Sequence, residues 1–168
     1  MLCRLALYAN QANLSFVGVG CDLRETACRH ARQEADRWLG EAKRTRVEFV
    51  QLNCLHDELP SDFDVVLCSL LLHHLHEADA VRLMVRMRET ARLAVLIDDL
   101  LRSQAGYWLA WLGTRVLTRS RIVHVDGPLS VKAAFTLDEV QAMAEAAGMT
   151  TATIARHWPF RYLLEWRQ

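Results

Sequence analysis

Three features of the sequence predict an α/β fold with a mostly parallel sheet. Short apolar runs alternate with segments whose apolar residues recur at helical spacing, the mark of successive β-then-α units. The first unit is explicit: SFVGVGC (Ser15 to Cys21) reads as a buried strand, and Leu23, Ala27, Ala31, Ala35 and Leu39 then fall on one helical stripe. The C-terminal stretch instead reads as two consecutive strands, about Thr150 to Arg156 and Phe160 to Trp166, turned at Pro159.

Between these ends the elements follow in order. Arg46 to Asn53 (RVEFVQLN) is the next strand and Asp64 to Ser69 another. A helix from about Glu77 carries Val81, Met84 and Val85 inward. Leu93 to Ile97 (LAVLI) is a strand ending at Asp98-Asp99. Thr136, with Glu139 three residues on, makes a capping box, and Gly148 stops the helix it opens. There is no internal repeat, low-complexity segment or linker, so a single domain over residues 1–168 is expected.

The glycines of FVGVGCDLRET, Phe16 to Thr26, pose a question of their own. A dinucleotide fingerprint needs G-x-G-x-x-G opening a helix, with an acidic residue about 20 positions further on. Here the third glycine position holds Leu23, and the acid, Asp22, arrives two residues after Gly20. Asp22 therefore reads as the acid closing a second strand, with any glycine loop upstream of it.

Composition narrows the function classes. The chain has 168 residues, 52% hydrophobic and 24% charged, enough for a sizeable core. Twenty basic residues balance twenty acidic ones, so no global field favours nucleic acid, and such a partner is not expected. Five cysteines without a C-x-x-C pair read as reduced thiols. MLCRLALYAN is too short for a signal peptide, and no apolar run approaches the roughly 20 residues of a membrane span. A soluble cytoplasmic protein is the expectation.

The run GCDLRETACRHAR (Gly20 to Arg32) resembles the second-strand motif of class I S-adenosylmethionine-dependent methyltransferases, in which a strand-end Gly-x-Asp precedes a helix closing in Ala-Arg. Phe49 to Leu75 is similar to that family's third strand, adenine loop and fourth strand in order, and Ala133 to Met149 to its penultimate helix. Among subfamilies the likeness is to small-molecule enzymes of the ubiquinone/menaquinone-methyltransferase type. The resemblance implies a Rossmann-like twisted sheet with helices on both faces and a C-terminal antiparallel strand pair. It also implies S-adenosylmethionine as cofactor and methyl transfer to a small, aromatic or polyketide/quinone-like acceptor. The family's opening strand and its Asp/Glu-x-Gly-x-Gly-x-Gly loop have no counterpart among the seven glycines, and residues 1 to 12 look like the end of the helix that follows that loop. The first strand is thus expected to be missing, leaving either a mis-called start or a non-catalytic remnant or interaction module.

The resemblance places cofactor contacts at Gly20, Asp22, Leu23, Asn53, Cys54 and Ser69. Asp22 would accept hydrogen bonds from the ribose hydroxyls, or cap the helix starting at Leu23. Asn53 would meet the adenine amino group where the family usually has Asp, or simply form a turn. Ser69 would border the methionine moiety or be a satisfied strand-end hydroxyl.

Two further constellations carry candidate chemistry. In His73-His74-Leu75-His76-Glu77, His73 and Glu77 would share a helix face, but adjacent histidines cannot both point inward and no distant ligand completes a metal site, so no metal is expected. His73 or His74 at the cofactor's edge could instead be a general base, or a packing or capping residue. A lid-like insertion is expected at about residues 100–132, where Tyr107, Trp108 and Trp111 would cover an apolar acceptor and Arg102, Arg115, Arg119 and Arg121 meet an acidic group on it. Alternatives are a core-packing helix with a basic flank and an interfacial helix resting on a membrane. His124 and Asp126, in HVDG, read as a base with its orienting partner or as a turn.

Overall fold

The computed structural model describes residues 1–40 and 45–168. The chain forms two compact units, Met1–Leu59 and Pro60–Gln168.

The first unit runs α1 (Leu2–Gln11), β1 (Phe16–Asp22), α2 (Glu25–Leu39), β2 (Thr45–Gln51). β1 and β2 form a parallel ladder from Phe16 opposite Thr45 to Asp22 opposite Gln51. Both helices pack on this pair through small buried residues, Ala6 and Ala9 in α1, Cys28 and Ala35 in α2. The glycines of β1 belong to this packing. A Cβ on Gly18 would come within 2.7 Å of the Phe16 ring and 2.9 Å of Leu2, and one on Gly20 within 2.7 Å of the Phe49 ring. They lie inside a strand whose surface is covered by those side chains, so they open no phosphate loop.

α2 begins later than its apolar stripe. The Asp22 carboxylate accepts the Arg24 N–H at 2.8 Å, which holds the chain extended until Arg24, the residue before the first helical turn. Leu23 is left exposed ahead of the helix, and Asp22 is not its cap.

The second unit runs β3 (Phe63–Ser69), a 3-10 turn (Leu72–His74), α3 (Glu77–Thr90), β4 (Ala91–Leu100), α4 (Gln104–Leu117), α5 (Arg121–Ala133), α6 (Leu137–Ala146), β5 (Thr153–His157) and β6 (Arg161–Arg167). Its sheet has the order β3-β4-β6-β5. β3 and β4 are parallel, whereas β6 is antiparallel to both β4 and β5, as the C-terminal strand pair requires. Among the described residues β1 pairs with β2 alone and β3 with β4 alone, so each has one edge without a ladder partner.

The core of this unit gathers Met84, Val95, Ile97, Val140, Met143, Met149 and Leu164. In α3 the inward stripe is Ala80, Leu83, Met84 and Met87, while Val81 and Val85 are only half-buried. The i, i+3, i+4, i+7 row that starts at Ala80 carries the long unbranched side chains, and these fill the space against β4 and α6. The capping box of α6 forms as read: Glu139 donates its N–H to the Thr136 hydroxyl at 3.3 Å, and its carboxylate accepts the Thr136 N–H at 2.8 Å. Gly148 closes that helix at φ +78°, where any side chain would be strained.

Two differences from the sequence reading bear on function. β4 runs from Ala91 to Leu100, past the expected end at Asp98-Asp99, so both acids are ladder residues. His124 to Gly127 lie inside α5 rather than in a turn, because packing of α5 against α4 and the 3-10 turn overrides the local signal of Gly127-Pro128.

Candidate functional site

At the carboxyl end of β3 the chain turns sharply, with Leu70 at φ +56°, its N–H donated to the Asp98 carbonyl at 3.0 Å. The 3-10 turn that follows sets His73 inward and His74 outward. His73 is 7% exposed, while His74 is exposed and rests against the His73 ring at 4.0 Å between centroids. That much follows from two adjacent residues on a tight helix. What the sequence did not reveal is the partner waiting for His73.

That partner is Asp99, 1% exposed near the end of β4. Its Oδ1 lies 2.6 Å from His73 Nδ1. The same carboxylate accepts backbone N–H groups from Leu71 (2.9 Å), Leu72 (2.7 Å) and Leu100 (2.6 Å). Burial raises the pKa of Asp99, but the bond from His73, the bond from Leu100 and the His73 charge interaction outweigh it and leave the carboxyl below its ordinary range. Asp99 is therefore ionised at neutral pH and can only accept, so the proton of the pair sits on Nδ1. In a neutral His73 ring the lone pair is then on Nε2. His73 and Glu77 share no helix, because the chain is extended at Leu75 and His76 before α3 starts.

Tyr162 stands opposite Asp99 in the β4–β6 ladder and is 1% exposed, with its hydroxyl lacking a hydrogen-bond partner among the described residues. Burial, with the Asp99 charge adding to it, pushes its pKa far above the usual phenol range. It stays neutral. Asp98, one residue earlier, takes Arg161 (2.5 Å to Nη2) and His157 (2.9 Å) and so ties β4 to the C-terminal hairpin. Ser69 ends β3 opposite Asp98 and is half-buried.

In the first unit Asp22 is exposed at the end of β1 and spends one oxygen on Arg24; its other oxygen has no partner among the described residues. Asn53 is a turn residue. Its side-chain oxygen accepts the Leu55 N–H at 3.0 Å, and its own N–H goes to Asp57 at 2.8 Å, as the turn reading expects. Cys54, half-buried, lies in the same turn.

The expected insertion is the α4–α5 hairpin, and α5 packs against the 3-10 turn that carries His73. Arg102 pairs with Glu139 of the capping box. Tyr107 is half-buried, whereas Trp108 and Trp111 are exposed and meet edge to face at 5.9 Å. His124 donates from Nε2 to the Thr118 carbonyl at 2.8 Å. Two residues apart on a helix, His124 and exposed Asp126 point in different directions, so the base-and-partner reading of this pair is overturned by the helix itself. Nothing in residue order marked Asp99 as the partner instead, because 26 residues separate it from His73; the only signal was a pair of acids ending an apolar run.

The methyltransferase-domain family model matches residues 3–92, more than half of the chain. The chain belongs to this family. Its structure resembles magnesium protoporphyrin IX methyltransferase from Synechocystis PCC 6803 with bound SAH (TM-score 0.63, 17% identity, covering 98% of this chain and 68% of that one). It also resembles a putative O-methyltransferase from Nostoc punctiforme PCC 73102 (TM-score 0.62, 17% identity, 96% of this chain and 47% of that one). A third likeness is to the O-methyltransferase NcsB1 of neocarzinostatin biosynthesis, in complex with SAH and 1,4-dihydroxy-2-naphthoic acid (TM-score 0.60, 19% identity, 98% of this chain and 44% of that one). At these identities the likeness is one of fold, the Rossmann-like α/β fold of the methyltransferases. The chain spans about half the length of the last two structures. No curated protein matches the sequence.

Proposed function

We propose that this methyltransferase domain transfers a methyl group from S-adenosylmethionine to a small hydroxylated aromatic or quinone-like acceptor, with His73 as general base and Asp99 as its positioning residue. The observation that carries the reading is the buried His73–Asp99 pair at the carboxyl end of parallel strands, the place where α/β sheets bind ligands. Transfer from a sulfonium is an in-line displacement in which positioning does most of the work. A base is needed only to take the acceptor's proton, and Nε2 is the nitrogen available for it.

Asp22 supports cofactor binding: its open oxygen is suited to a ribose hydroxyl. S-adenosylmethionine, when bound, supplies the methyl group on a positively charged sulfur. Acceptors of the naphthoate kind are favoured by the ligand of NcsB1. A quinone-type acceptor, as in the ubiquinone/menaquinone subfamily, belongs to the same chemical class.

The test is His73→Gln, assayed against hydroxynaphthoate acceptors alongside calorimetric titration of SAH. Loss of a positioned base should lower kcat by about 10²- to 10⁴-fold and leave SAH affinity unchanged. An unaltered kcat would remove His73 from the chemistry. Failure of the parent chain to bind SAH at all would favour the other reading, a non-catalytic member of the family, for which the lack of a Gly-x-Gly-x-Gly run in the sequence speaks.

A further inference from the structure

The α4–α5 hairpin ends in an exposed apolar tip. Leu117 is 86% exposed, Ile122 79% and Val116 73%, three large aliphatic side chains on either side of the turn at Thr118 to Ser120. Arg115, Arg119 and Arg121 stand among them. Further up α4, Trp108 is 62% exposed, and Trp111 carries the Arg115 guanidinium 4.0 Å above its ring. An apolar tip ringed by cations, with indoles behind it, is a combination that water does not favour.

The charge is local. Between Gln104 and Ala133 there are four basic residues (Arg115, Arg119, Arg121, Lys132) and one acidic (Asp126), so this segment carries +3 in a chain whose net charge is zero, and the rest of the chain carries −3. The tip is also held in shape. Ser120 caps α5, Thr118 accepts the Ser120 N–H at 3.1 Å, and His124 clasps the Thr118 carbonyl at 2.8 Å. Little ordering is left to do on binding.

We propose that this hairpin docks the protein on an anionic lipid bilayer, with Val116, Leu117 and Ile122 entering the headgroup layer and the three arginines meeting lipid phosphates. A bilayer offers an anionic layer over an apolar one within the 5–10 Å that an interfacial helix reaches. Trp111 lies six residues before Leu117, about 9 Å along the helix, so its indole is on the same hairpin as the apolar tip and reports on binding there. α4 cannot cross: no described helix is long and apolar enough to do so. A second copy of the chain is a poorer occupant, since a two-fold contact at this tip would bring the same arginines of both copies together. The inference does not rest on methyl transfer, and its test has no activity readout.

The full chain is mixed with vesicles of phosphatidylglycerol and phosphatidylcholine, or of phosphatidylcholine alone, and bound protein is measured by flotation together with tryptophan emission. Binding to the mixed vesicles, with a blue shift and a fall on adding salt, is expected; weak or no binding to phosphatidylcholine alone is expected too. L117E and I122E should each weaken partitioning about thirtyfold, and R115Q, R119Q and R121Q about fivefold each while flattening the salt dependence. These positions are exposed, and a circular dichroism melt of each variant checks that it is folded; the arginine variants leave the apolar tip intact and test the docking independently. No binding of the parent to the mixed vesicles, or binding undiminished in L117E and the arginine variants, overturns the proposal. So does a parent chain that elutes as a dimer which L117E converts to a monomer, because the tip would then be a contact between copies.

Discussion

Asp22 and Asp99 both stand near the carboxyl end of a strand with a parallel partner, β1 beside β2 and β4 beside β3, yet the chain treats them in opposite ways. Asp22 is exposed and receives one backbone N–H. Asp99 is 1% exposed and receives three backbone N–H groups and an imidazole. A carboxylate whose acceptor sites are filled from within the chain fixes structure and orients a neighbour. One left half-empty in solvent is available to a ligand. The position on a parallel sheet is therefore only half of a functional argument, and the supply of donors around it is the other half.

The comparison predicts two opposite phenotypes, of which loss of Asp99 is the larger. Asp99→Ala strands the N–H groups of Leu71, Leu72 and Leu100 and leaves His73 buried without its acceptor, which should cost about 3 to 5 kcal/mol in urea unfolding. The pH dependence has a definite sign. Because Asp99 titrates below its ordinary value in the folded chain, its contribution is fully present above the unfolded carboxyl pKa of about 4 and is lost as pH falls through the lower folded value. Acid unfolding of the parent should therefore steepen in that window, and D99A should lack this component. A variant as stable as its parent would mean that the four hydrogen bonds are replaced by water at no cost, and the contrast with Asp22 would collapse.

Asp22→Ala should do the reverse. An exposed side chain with one local bond contributes about 0.5 kcal/mol or less to stability. If Asp22 holds the ribose, SAH binding should weaken by about 2 kcal/mol, close to thirtyfold, with the melt unmoved. Calorimetry on both proteins is the check, and equal affinities would leave Asp22 with only its bond to Arg24.

What the sequence made legible was local. The Thr136/Glu139 box, the Gly148 stop and the strand pair around Pro159 are short patterns whose partners lie within a few residues, and each forms in the structure. The order of strands and helices was readable for the same reason, through periodicity. The candidate site was not, because its decisive contact joins residues 26 apart across a parallel β-crossover, where no spacing rule links them. Local signals also misled at His124-Val125-Asp126-Gly127, whose turn-forming residues are held helical by packing on α4. Leu23 failed differently. It continues the α2 stripe in sequence, but the bond from Arg24 to Asp22 delays the helix and strands it in solvent.

The smallest expected effect sharpens the comparison further, since it concerns a polar group the chain has left unserved. Tyr162 lies opposite Asp99 in the ladder, and its hydroxyl is buried without a partner among the described residues, the carboxylate's acceptor sites being already taken by other donors. Desolvating a hydroxyl without a compensating bond costs about 1 to 3 kcal/mol, whereas the ring itself is ordinary core material. Tyr162→Phe removes only the unserved atom, so the variant should be as stable as its parent or more stable by up to about 1 kcal/mol, measured by urea unfolding at neutral pH. The acid-unfolding component assigned to Asp99 should persist in it, because the phenol contributes no bond to that carboxylate. A loss of about 1 kcal/mol or more would show that the hydroxyl is bonded in solution, through a water or a shift of Asp99, and that the donor set around Asp99 is larger than four. Either result is a direct reading of how completely the buried carboxylate is satisfied, which is the property that separates it from Asp22.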